Sequence, residues 1–120
     1  MESFELVFYR REDGSRPMDE FLDALEPKLR AKANHELRVL RDKAYTLREP
    51  YSKAMGGGLF ELRVRHAGNI ARVFYFFFDG RRIVVTNGFV KKQQKTPRKE
   101  LERALAYKKD WEGRFEHGRP

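Results

Sequence analysis

Cysteine is absent from the 120 residues and tryptophan occurs once. Without cysteine there is no disulfide scaffold and no thiolate metal site, and a reducing compartment is permitted. Long hydrophobic runs are missing too. The longest, VFYFFF at residues 73–78, falls far below the roughly 20 residues of a membrane-spanning helix. The opening MESFELVFYRRED lacks a basic segment followed by an apolar one, so no secretory signal is expected and a cytoplasmic location fits. His35, His66 and His117 are scattered without metal-type spacing, so neither a metal nor a cofactor is expected. Acids are in deficit, 18 against 26 lysines and arginines, leaving +8. Such an excess favours polyanionic partners through attraction and counterion release.

What is present is aromatic and charged. Ten Phe and five Tyr argue against disorder, although 37% of residues are charged. The length fits one domain, residues 1–120, with no internal repeat or linker. FELVFY at residues 4–9 reads as a strand ended by Asp13-Gly14. Pro17 then suits a helix start, with Met18, Phe21, Leu22 and Leu25 at helical spacing. Pro27 opens a second helix, whose stripe Leu29, Ala33, Leu37, Leu40 and Ala44 lies opposite Arg30, Lys32, Arg38, Arg41 and Lys43. That basic face is either solvated or an aid to docking on RNA.

Residues 45–58 break the pattern, and Gly56-Gly57-Gly58 reads as a flexible loop entering a strand. It is not a phosphate loop, because no Gly-Lys-Ser/Thr follows and no helix opens there. Three β-like runs come next, at 59–65, 70–78 and 82–90, joined through Gly68-Asn69 and Asp79-Gly80. Thr96 and Pro97 supply an N-cap and first residue for a last helix, with Leu101, Leu105, Trp111 and Phe115 on its apolar side. The order β, α, α, β, β, β, α predicts an α+β domain. It would have a four-stranded twisted antiparallel sheet, an N-terminal helical hairpin and a C-terminal helix.

Strand alternation puts Glu61, Arg63 and Arg65 on one face and Phe60, Leu62 and Val64 on the other. The apolar set would meet the helical hairpin. Arg72 can lie beside Arg63 or Arg65, and an arginine amid NIARVFYF needs a wet or anionic site. Lys91, Lys92 and Lys95 follow from the last strand, so all six cations could share one concave patch. Arginine stabilises phosphorane charge through its planar fork, while a lysine crowded by cations can exchange protons. Together they could let a ribose 2′-OH attack its neighbouring phosphate without metal or histidine. The plainer reading keeps Arg63 and Arg65 as ordinary polar-face residues and 91–99 as a solvated loop. Glu61 reads as an ion-pairing strand residue, and Phe74, Phe76 and Phe78 either pack under the last helix or stack on bases.

With these residues in view, the chain resembles the RelE/ParE superfamily of type II toxins, in particular its phage-derived HigB-like branch. The likeness is strongest at LFELRVRHAGNIARVFYFF and GFVKKQQKTPRKELERA. The resemblance implies a RelE-like fold and a metal-free endoribonuclease that cuts mRNA in the ribosomal A site and inhibits translation. It also implies a cognate antitoxin, expected to be a helix-turn-helix protein, and operator DNA contacted only through that complex. It carries a catalytic role to Arg63, Arg65, Arg72, Lys91, Lys92 and Lys95, while His66, Arg98 and Lys99 are candidates for RNA contact. Several relatives place a tyrosine or histidine near the end of the chain for proton transfer. Tyr107 stands nearest here, and Lys92 or Lys95 is the remaining choice. A ParE-like gyrase inhibitor and a non-catalytic nucleic-acid-binding module are the alternatives. On this reading Arg72→Ala is expected to relieve toxicity in a folded protein.

Overall fold

The computed structural model describes residues 4–91 and 96–117, with the backbone alone for Lys91, Glu116 and His117. Strand β1 spans Glu5–Phe8, helices α1 and α2 span Pro17–Ala24 and Pro27–Lys43, and a short 3₁₀ turn covers Ala44–Thr46. Strands β2 to β5 span Ser52–Gly56, Leu59–His66, Asn69–Phe78 and Arg82–Lys91, and helix α3 spans Arg98–His117. Among the described residues the sheet has five strands in the order β1-β5-β4-β3-β2, not the four expected. The extra strand is β2, in the stretch read as a flexible loop. It is short, largely exposed and bulged between Ala54 and Gly56, so it has little apolar alternation to read. The sheet is also mixed. β1 runs parallel to β5 while the other pairs are antiparallel, because the helical hairpin carries the chain back across the sheet before β2.

Turn chemistry fixes the meander. Gly56, Gly57 and Gly58 all have positive φ and form the tight β2–β3 turn. The β3–β4 turn uses Ala67 and Gly68, with φ of 51° and 82°, one residue earlier than Gly68-Asn69. Between Val73 and Tyr75 on β4, strand β5 advances from Gly88 to Val85, which places an extra residue in β5. Gly88 is required there. A Cβ on it would come within 2.9 Å of the Arg72 carbonyl oxygen and 2.7 Å of the Phe21 ring.

Both faces of the sheet are covered. On one, Leu62, Val64, Ala71, Val73, Tyr75, Ile83 and Val85 pack with Met18, Leu29, Ala33, Leu37 and Leu40 of the hairpin. Glu26 caps α2 by accepting the Leu29 N–H at 2.8 Å, and Arg30 donates to the carbonyls of Leu22, Asp23 and Leu25 at the end of α1. On the other face Phe74, Phe76 and Phe78 lie with Ala104 and Trp111 of α3, packed rather than open to bases. Each buried phenylalanine contributes about 1.5–3 kcal/mol, enough to hold α3 down. Leu105 and Phe115, expected on its buried side, are partly exposed; Leu101, Ala104 and Trp111 form the docking line instead.

The far end of α3 is latched by Tyr9, whose hydroxyl donates to Asp110 Oδ2 at 2.7 Å. Burial first, and then Asp110, pushes the Tyr9 phenol up to about 12. That hydrogen bond, with Arg114, holds the Asp110 carboxyl below its usual range. Because the folded-state value of Tyr9 is raised, its stabilisation is complete below the ordinary value of 10.0 and fades as pH climbs through about 12. Tyr9→Phe should lose about 1–2 kcal/mol at neutral pH. Its deficit relative to wild type should shrink across that alkaline window, as followed by urea midpoints; a constant deficit would exclude the latch.

Candidate functional site

Register brings the predicted cations together in rows. Arg63 of β3 stands directly opposite Arg72 of β4, which pairs with Phe89 of β5. One step along the same face, Arg65 pairs with Ile70, and Ile70 with Lys91. Two arginines face to face across a sheet repel. The sequence answers with Glu61, two residues before Arg63 and on its face.

Glu61 is fully buried. Its Oε1 accepts from Arg72 Nη1 at 2.9 Å and from Arg63 Nε at 3.2 Å, and its Oε2 accepts from the Thr96 hydroxyl. Arg72 Nη1 also reaches Thr96 Oγ1 at 3.4 Å. Thr96, expected as an N-cap, thus turns its hydroxyl inward, and α3 begins at Arg98. One carboxylate therefore holds two strands and the residue leading into a helix.

The arginines differ in what they present to solvent. Arg72 retains only 2% of its exposure, so the anionic site it needed is the Glu61 carboxylate, in the interior and not on an open patch. The Arg63 side chain keeps 17% of its exposure and is engaged at Nε. Among the described residues its two terminal nitrogens have no hydrogen-bond partner, and they form the edge that suits a phosphate. Arg65 is exposed and has no carboxylate partner among the described residues.

His66, opposite Asn69 in the β3–β4 turn, shares with Arg65 a hollow of about 340 Å³ at the hairpin tip. Arg98 is 90% exposed and donates to Glu102 at 2.9 Å, so it does not join the Glu61 cluster. Lys99 is likewise exposed. Lys92 and Lys95 lie outside the described residues, as does the side chain of Lys91. Tyr107 is stacked on Tyr9, with ring centroids 4.5 Å apart.

Glu61 pairs with arginines, as its reading as an ion-pairing strand residue expects; sequence reasoning missed its full burial between the two strands and the part played by Thr96. A signal was available for the first: two arginines that can oppose each other beneath a covering helix require an anion. For Thr96, separated from Glu61 by 35 positions, no local pattern announces the contact.

The family described as "Phage derived protein Gp49-like (DUF891)" matches residues 20–109. Among curated proteins the chain is similar to "Probable endoribonuclease HigB1" from two strains of Mycobacterium tuberculosis, CDC 1551 / Oshkosh and ATCC 25618 / H37Rv. In each case it is 40% identical over 63 residues, covering 52% of this chain and 50% of the relative. The chain thus spans about half the length of the curated relatives it matches.

Proposed function

The chain belongs to the phage-derived Gp49-like protein family, and from that premise we propose that it is the toxin of a type II toxin–antitoxin system. Its reaction is endonucleolytic cleavage of mRNA on the ribosome. The observation that carries the reading is the partly accessible Arg63, its terminal nitrogens without a partner among the described residues, beside exposed Arg65, with an endoribonuclease-named relative as independent support.

In the proposed reaction a bond forms between the ribose 2′-oxygen and the neighbouring phosphorus while the bond to the 5′-oxygen breaks, leaving a 2′,3′-cyclic phosphate. The guanidinium groups of Arg63 and Arg65 hold the charge that builds on the non-bridging oxygens. On the family resemblance, Lys92 or Lys95 is assigned to take the 2′-OH proton and deliver one to the leaving oxygen, with Lys91 adding positive charge. No step assigned here requires a metal, and DNA, lacking the 2′-OH, is not a substrate. Arg72 serves this site from beneath, through Glu61. The partners on this reading are the ribosome, mRNA and a helix-turn-helix antitoxin in the cytoplasm, with operator DNA reached only through the antitoxin complex. Among the described residues no helix is long and apolar enough to cross a membrane.

The engagement of Arg72 and Arg63 by Glu61 also suits a relative that has given up RNA for a protein target such as gyrase. Inducing the chain in cells separates the two. Growth should stop and new 5′ ends should appear inside translated frames, while gyrase supercoiling by purified protein is unchanged. Intact transcripts during arrest would remove the nuclease reading.

A further inference from the structure

We propose that Glu61 is a positioning residue that presets Arg63 for phosphate, a role that deepens the RNA-cleaving reading above and rests on it. A carboxylate within a cationic binding surface looks self-defeating, since it cancels charge the surface needs. The geometry resolves this. Glu61 Oε1 engages Arg63 at Nε, on the side of the guanidinium away from its terminal edge. That contact restricts rotation of the group and leaves the two Nη atoms, which have no hydrogen-bond partner among the described residues, available to a phosphate. Glu61 is itself held, by Arg72 Nη1 at 2.9 Å and by the Thr96 hydroxyl, and is fully buried. An arginine oriented by a buried, doubly anchored anion loses little side-chain freedom on binding. Arg65, with no such anchor among the described residues, supplies charge without preset direction.

Electrostatics and positioning predict opposite signs for one substitution, which makes the inference decidable. Glu61→Gln keeps the size of the side chain, removes the negative charge and replaces one of its two acceptor oxygens with an N–H donor, so the charge-assisted anchor on Arg63 is weakened. If Glu61 acts only through its charge, a polyanion should bind the variant more tightly. If it positions Arg63, binding should weaken by about tenfold, the scale of one charge-assisted hydrogen bond.

The experiment uses the full chain and a short mixed-sequence RNA with every 2′-oxygen methylated, so that binding is read without cleavage. Nitrogen-15 NMR of the arginine side chains gives a second readout independent of RNA. The Arg63 Nε–H should be resolved and slow to exchange in wild type, and shifted and faster to exchange in Glu61→Gln, where only a neutral acceptor remains. Should that variant fail to fold, two charge-conserving substitutions replace it. Arg63→Lys, which loses both the anchored Nε and the fork, should weaken binding about tenfold, and Arg65→Lys clearly less.

Tighter binding by Glu61→Gln with an unchanged Arg63 signal would overturn the inference, as would equal losses from the two lysine variants. Wild type that fails to bind the oligonucleotide would sink the RNA reading instead. In that case the Arg63 signal alone decides whether Glu61 orients it.

Discussion

Arg72→Ala is expected to cost about 3–5 kcal/mol of folding stability, the scale for stripping one partner from a buried ion pair. Its side chain is 2% exposed and lies 2.9 Å from a carboxylate with no exposure at all. Among the described residues, removing it leaves the Glu61 charge buried with Arg63 and Thr96 as its partners, and opens a cavity beneath the start of α3. A domain of this size has a total stability of about 5–15 kcal/mol, so much of the protein should be unfolded under mild stress. Relief of toxicity by this variant would therefore report folding before chemistry, which replaces the expectation of a folded, silent protein. The control is the double substitution Arg72→Met with Glu61→Leu. Well-packed apolar pairs commonly equal or exceed the buried ion pairs they replace, so it should recover most of the loss in guanidinium denaturation. A double variant as unstable as Arg72→Ala would mean that packing under α3, not the unpaired charge, dominates.

The reason Arg72 looked exposed from the sequence explains most of what was and was not legible there. The meander was readable because β3 alternates Phe60, Leu62 and Val64 against Glu61, Arg63 and Arg65, and because glycine marks its turns. Alternation by itself implies one wet face. Residues 73–78, apolar at every position, carry the opposite message, since a strand without alternation is buried on both sides. α3 covers the second face, so Glu61 and Arg72 lie inside; Arg63, level with Arg72 but one strand nearer the sheet edge, stays partly accessible, and Arg65, farther along β3, is exposed. Whether a polar strand residue is surface or core depends on where a helix some 35 positions later begins. That is set by the fit of Ala104 and Trp111 onto Phe74, Phe76 and Phe78. β2 escaped notice for a different reason: five mostly exposed residues at the sheet edge need no apolar signature to pair with β3.

Arg63→Ala should lower mRNA cleavage about 100-fold, the scale for deleting one preorganised donor to developing anionic charge, and Arg65→Ala about tenfold, because its charge has no preset direction. Arg65→Ala should leave folding nearly unchanged because Arg65 is exposed, and Arg63→Ala should cost less than Arg72→Ala because Arg72 and Thr96 still hold the Glu61 carboxylate. Arg38→Ala and Lys109→Ala, which remove equal charge from exposed positions on α2 and α3, should change the rate by about threefold or less. The contrast is the informative quantity. A module that only attracts polyanions loses affinity evenly with each charge removed, whatever its position. A site that stabilises a phosphorane is sensitive to direction as well as charge, so two neighbouring arginines on β3 outweigh many lysines elsewhere. Initial cleavage rates on a translated message, taken beside thermal melts of each variant, measure both effects at once. Equal, modest losses at all four positions would reduce the protein to a nucleic-acid-binding module. A steep loss confined to Arg63 and Arg65, with melting temperatures preserved, would place the chemistry on the strand edge that Glu61 orients from beneath.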